Sequence, residues 1–166
     1  PGELQNSFFI NNGTDAIEGA IKLTRLYTNR NTFISTLGGF HGKSMGSLSL
    51  TASKVAQRRG FGPLLPGTYH APYPDSYRRP AHHSPESWAA ECIRFIEEQL
   101  FTHVVSPDEV AAVMVEPIQG EGGYIVPPDS FLHGLRELTR QHGILLIADE
   151  VQSGMGRSGR MFAMEH

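Results

Sequence analysis

Apolar positions along the chain change period several times, and each change marks a predicted element. Residues 7–10, Ser-Phe-Phe-Ile, form a short apolar run that ends in Asn11-Asn12-Gly13, which predicts a strand and a turn. From Thr14 the period becomes helical, with Ile17, Ala20, Ile21 and Leu26 on one face and Thr14 as the expected cap. Residues 32–36 predict a second strand, followed by the loop Leu37-Gly-Gly-Phe-His-Gly42. A short helical or irregular stretch covers residues 44–57. Residues 60–85 are dense in Pro, Tyr, His and Arg without periodicity, and predict a long ordered loop. Ser84-Pro85-Glu86 opens a helix to about Leu100. Residues 110–117 read as a buried strand, closed by Gln119-Gly-Glu-Gly-Gly123. Pro127-Pro128 starts a helix through about His142, with Gly143 as its stop. The run from Ile144 to Ala148 predicts a strand buried on both faces, and it leads into Asp149 and Glu150.

Strands alternating with helices predict an α/β domain whose mostly parallel sheet is flanked by helices. Ligands of such sheets gather at the carboxyl ends of the strands, and every candidate motif here follows a predicted strand. No internal repeat or low-complexity tract interrupts the pattern.

Composition narrows the function classes. A net charge of −3 and a pI near 6.3 give no electrostatic case for nucleic acid or an anionic membrane. There is no signal peptide and no apolar stretch of spanning length, so a cytoplasmic protein is expected. The single Cys92 excludes an intrachain disulfide and a multi-cysteine metal site, and His82-His83 lack the spacing of metal ligands. The chain starts at Pro1 rather than Met and stops at His166 just after Met161-Phe-Ala-Met164, the ends expected of a segment.

Four stretches carry candidate chemistry. In "NNGTDAIEGAIKL" a Gly turn leads into a helix, whose free backbone N–H groups and dipole suit a phosphate, although an ordinary capped helix gives the same pattern. "GGFHGKS" nearly spells a nucleotide-binding P-loop, but the leading Gly is replaced by Leu37 and Phe40-His41 are bulky for a phosphate cradle. "VEPIQGEGG" places Glu116 at a strand end before a Gly-rich turn, a poor structural choice unless a ligand lies there. "ILLIADEVQSG" ends a strand in Asp149, which fits a Mg²⁺ ion or the protonated nitrogen of a heterocycle, with Gln152 three residues on and Glu150 as a helix-start or surface acid.

Together these stretches, with "MFAMEH" at the end, resemble in order and spacing the class III (ω-aminotransferase type) pyridoxal-phosphate enzymes of fold type I. The resemblance covers essentially the whole chain. It implies that residues 1–166 are the central part of the large cofactor-binding domain, without the N-terminal small-domain part. It further implies Gly13 and Thr14 as a phosphate cup and Phe40 as the aromatic stacked on the cofactor ring, with His41 shaping the loop. Asp149 resembles the pyridinium partner, Val151 a residue packed on the ring, and Gln152 the donor to its phenolic oxygen. Glu116 resembles a supporting anchor, and Glu121 the acid that pairs with a substrate-side arginine. The position of Lys43 is typically Arg in the acetylornithine branch; lysine is a point charge and no equivalent fork, which tilts the resemblance toward 4-aminobutyrate or broader ω-amino-acid substrates.

The Schiff-base lysine is missing. Only Lys22, Lys43 and Lys54 are present, and the family position lies about thirty residues after the strand-end Asp, beyond His166. The segment alone is therefore expected to lack transamination, while the parent moves an amino group from an amino acid or ω-amine to a 2-oxo acid, as a homodimer or higher homo-oligomer. An amino-acid racemase on the same cofactor is the nearest alternative. A P-loop-like ATPase and a non-catalytic fragment are the distant ones.

Overall fold

The computed structural model describes residues 4–166. Helix α1 (Gly13–Thr28) precedes strand β1 (Thr32–Thr36), then the short helices α2 (Met45–Leu50) and α3 (Val55–Arg58) and strand β2 (Thr68–Ala71). Helix α4 (Pro85–Arg94) runs on through a π-helical turn (Phe95–Leu100) into α5 (Phe101–His103). Strand β3 (Val110–Val115), helix α6 (Asp129–Gln141) and strand β4 (Leu145–Ala148) follow. The strands form one 4-stranded sheet in the order β2-β1-β3-β4, and every pairing is parallel.

The central strand explains the layering. All of β3 is buried, and its side chains alternate between two apolar clusters. Val113 and Val115 join Cys92 of α4, Ile96 of the π turn, and Phe131 and Leu135 of α6. Ala112 and Met114 join Ile17 and Ile21 of α1 and Leu50 of α2 on the opposite face. Helices on both faces are what a parallel sheet requires, since its crossovers leave no face open to water. Cys92 lies in the first cluster, 0 % exposed, and burial pushes its thiol up to about 12. Thiol reagents are expected to leave Cys92 unmodified in the native protein and to label it once denatured, which a colorimetric titration measures.

Several expectations are corrected. Residues 7–10 are not a strand: they join no ladder among the described residues, and Phe8 and Phe9 are 82 % and 93 % exposed. Helix α1 is capped by Asn12, two residues before Thr14, and its side chain accepts the Asp15 N–H at 3.0 Å. Leu26 is exposed, and Thr24 takes the third buried place on that face, because Leu26, two steps on, falls about 200° further round a 3.6-residue helix. The stretch 60–85 contains β2, which a parallel neighbour stabilises and local pattern does not reveal. Strand β4 is half-buried rather than buried on both faces, since among the described residues it lies at the sheet edge beside β3. The helix from Pro85 extends to His103 through the π turn. Gly143 does stop α6, at φ +62.

Candidate functional site

Parallel pairing brings the ends of β1, β3 and β4 to one edge. Asp149 continues the ladder one residue past β4, its N–H donating to Val115 O at 2.8 Å. Its carboxylate is nearly buried: Oδ1 accepts the Val151 N–H at 3.1 Å, and Oδ2 lies 2.7 Å from Nδ1 of His41. The His41 ring is wholly buried, and its backbone N–H donates to Thr51 Oγ1 at 2.9 Å. His41 therefore does more than shape its loop. It grips the acid at the end of the opposite strand.

Glu116, just past β3, ties two loops together. Oε1 accepts the Phe40 N–H at 2.6 Å and Oε2 the Gly120 N–H at 2.8 Å. Burial pushes this carboxyl above the usual carboxylate range, opposed by those two amides and His41 and reinforced by Asp149. A raised carboxyl binds its proton more tightly folded than unfolded, so its contribution to stability is full below the unfolded value and falls as pH rises through the folded one. Glu116→Gln is expected to cost about 1–3 kcal/mol by setting an NH₂ group against one of the two amides. Denaturant midpoints should show that loss shrinking from acidic to neutral pH, as ionisation removes the wild-type advantage.

At the start of α1 the amides of Gly13 and Thr14 donate to no acceptor among the described residues, while Asn12 serves the two residues that follow. The Thr14 hydroxyl is committed elsewhere: it receives the N–H groups of Lys43 and Ser44 at 3.2 and 3.3 Å and contacts Ser47 Oγ at 2.5 Å. The N-terminus of α2 is filled by Glu18, whose Oε1 accepts from Gly46 N, Ser47 N and Ser44 Oγ. These bonds correct the nucleotide alternative. The amides that a P-loop would offer to phosphate are spent on Thr14, and a carboxylate stands where the anion would sit.

Gly13, Thr14, Phe40, His41, Asp149 and Val151 line one shallow pocket. Val151 lies against Gly13, where a Cβ would come within 2.9 Å of its Cγ1. Gln152 lines a second cavity, with Gly120, Tyr124 and Arg157. Lys43 is exposed and its ammonium makes no ion pair among the described residues. Glu121 pairs with Lys54, Nζ to Oε1 at 2.7 Å, and that ammonium holds its carboxyl below the usual range. Among the described residues the partner of Glu121 is thus a lysine.

Three residues of the site carry roles that local pattern did not suggest. Glu150 is a clasp and not a surface acid: its carboxylate accepts from Ser153 Oγ, Ala163 N and Met164 N at 2.8–2.9 Å, folding the chain after β4 back on itself. Gln119 is 1 % exposed and donates Nε2 to Leu37 O at 2.9 Å, locking the loop after β1 to the turn after β3. Glu18 belongs to the helical period of α1, and only the fold shows it capping α2.

The family model Aminotransferase class-III matches residues 1–166. A putrescine aminotransferase from Pectobacterium atrosepticum is 47 % identical over 169 residues, covering 100 % of this chain and 32 % of that protein. An alanine/serine racemase from Pyrococcus horikoshii is 39 % identical, covering 99 % of this chain and 36 % of that one. Among solved structures, an amine transaminase from an uncultivated Pseudomonas species in its PLP-bound form superposes with a TM-score of 0.88 at 39 % identity, over 94 % of this chain and 36 % of that one. The chain therefore spans about a third of the length of the curated relatives it matches. Its sheet order, its strand-end acids and these matches have one meaning: the chain belongs to the class-III aminotransferase family.

Proposed function

We propose that the chain is the central part of the large pyridoxal-phosphate-binding domain of a transaminase, which transfers an amino group from an amino acid or ω-amine to a 2-oxo acid. The observation that carries this reading is the pairing of two unused helix N-terminal amides with a buried, His-held carboxylate across one pocket. A phosphate fits the amides of Gly13 and Thr14, a flat ring fits beside Phe40, and a protonated ring nitrogen fits Asp149. When bound, pyridoxal phosphate supplies an electron sink for the substrate carbanion. Asp149 would hold the proton on the ring nitrogen by its charge, with His41 keeping that carboxylate aimed and Val151 offering the ring an apolar wall. Gln152 would donate to the phenolic oxygen, and Glu116 fixes the Phe40 backbone. Lys43 and Glu121 face the substrate side, with the Schiff-base lysine supplied by sequence beyond His166 and the second active-site wall by another copy.

Glutamate formed from 2-oxoglutarate with putrescine, 4-aminobutyrate or alanine as donor tests the reading in the full-length protein. A racemase is the second reading, favoured by the relative from Pyrococcus horikoshii. Inversion of a single alanine or serine enantiomer without glutamate formation would replace the first reading by the second. Neither activity, in a protein loaded with cofactor, would defeat both.

A further inference from the structure

Two halves of the pocket come from distant parts of the chain, and one hydroxyl joins them. Gly13 and Thr14 stand at the start of α1, while Phe40 and His41 belong to the loop after β1. That loop turns at Gly42, whose φ of +123 is a conformation that favours glycine. Just beyond the turn, the N–H groups of Lys43 and Ser44 both donate to Thr14 Oγ1, at 3.2 and 3.3 Å. Ser47 Oγ, buried in α2, lies against the same oxygen at 2.5 Å. A Cβ on Gly42 would run into the Thr14 hydroxyl, so loop and helix meet there without a gap. Glu18, one turn further along α1, backs the join by accepting from Gly46 N and Ser47 N at 2.9 and 3.0 Å. Helix α1 needs none of these bonds for its own start, since Asn12 caps it.

Resting on the reading of this pocket as the pyridoxal-phosphate site, we infer that the Thr14 hydroxyl is a positioning group, a strut that sets the spacing between the phosphate seat and the ring seat. Thr14 divides its work. Its backbone N–H, with no acceptor among the described residues, is left for the phosphate. Its side chain turns to the loop and holds the turn next to Phe40 and His41. The other ties of these two residues run toward the sheet, from Phe40 N to Glu116 and from His41 Nδ1 to Asp149. Without the strut, the loop stays bound to the sheet and α1 stays capped. The amides of Lys43 and Ser44 lose their acceptor, however, and the turn is free to drift from α1. The consequence is a chelate effect. A ligand with two heads gains from both seats only when they stand at its own length. A ligand with one head is indifferent to their spacing.

The test compares three probes on the cofactor-free full-length protein: pyridoxal phosphate, pyridoxal and inorganic phosphate. Thr14→Val keeps the amide and the shape of the side chain and removes the acceptor. It is expected to weaken pyridoxal phosphate about tenfold, the effect of losing the paired hydrogen bonds. Pyridoxal and inorganic phosphate should each stay within about twofold of wild type, because each uses one seat alone. Thr14→Ser, which keeps the hydroxyl, restores pyridoxal phosphate binding. An equal loss for inorganic phosphate overturns the inference, because the hydroxyl then serves the phosphate itself. An equal loss for pyridoxal also overturns it, because the ring seat alone has then failed, and so does unaltered binding of all three. If Thr14→Val does not fold, Ser47→Ala removes one support of the same hydroxyl and should show the same pattern at about threefold. An unaltered pyridoxal phosphate affinity in that variant overturns the inference as well. A wild type that binds none of the three probes defeats the reading of the pocket itself, and the strut with it.

Discussion

Asp149→Asn in the full-length protein is expected to lower kcat/KM about 10²–10³-fold, the usual cost of removing one preorganised electrostatic partner from a buried site. The side chain is nearly isosteric, so the fold survives. Asn can still accept either from Val151 N or from His41 Nδ1, but its NH₂ group then opposes the other, at a cost of about 1–3 kcal/mol. What disappears altogether is the negative charge, and with it the reason for a ring nitrogen at this position to stay protonated. Loss of rate should therefore come with weaker cofactor binding and with a lower pH midpoint for the cofactor's absorbance change. Asp149→Glu keeps the charge and loses the reach, so it should recover part of the rate. A folded, cofactor-saturated Asn variant within about tenfold of wild type would show that the charge at 149 is not the partner proposed.

Parts of this site were legible before any coordinates, and the reason differs from residue to residue. Strand β3 was plain because both its faces are covered, which leaves an unbroken apolar run from Val110 to Val115. Asp149 and Glu116 stood out because each is an acid directly after such a run. Strand β2 was not legible: Thr-Tyr-His-Ala is too short and too mixed to signal anything except through its register against Phe33–Thr36. The opposite error arose at residues 7–10, where an apolar run has no neighbour to pair with. Side-chain partners across long sequence distance were hidden for a common reason. Strand order joins His41 with Asp149, packing of α1 on α2 joins Glu18 with Gly46, and the fold-back after β4 joins Glu150 with Met164, none of which local periodicity encodes.

The core beneath the site is expected to be equally sensitive. Phe131→Ala should destabilise the full-length protein by about 3–5 kcal/mol, read from the denaturant midpoint, because the residue is wholly buried in α6 and its removal leaves a cavity. The consequence reaches the site through Tyr73. The Phe131 ring meets Tyr73 edge-on, with centroids 5.2 Å apart, and holds the phenol where it donates to Glu116 O and Pro117 O at 3.2 Å each. Burial, with Glu116 adding to it, keeps that phenol far above its ordinary range, so it remains a donor throughout the working pH range. Once Phe131 is gone, Tyr73 is free to turn into the cavity, and the backbone after β3 loses its support just where Glu116 grips Phe40 and Gly120. Weakened cofactor binding should therefore accompany the loss of stability, and saturating cofactor should return part of the midpoint by mass action. Tyr73→Phe separates the two contributions: it keeps the ring packing, forfeits about 1 kcal/mol of hydrogen bonding and loosens the same turn. A Phe131→Ala variant within about 1 kcal/mol of wild type would mean that the α4–α6 layer closes over the gap, and that the turn bearing Glu116 is held by the sheet alone.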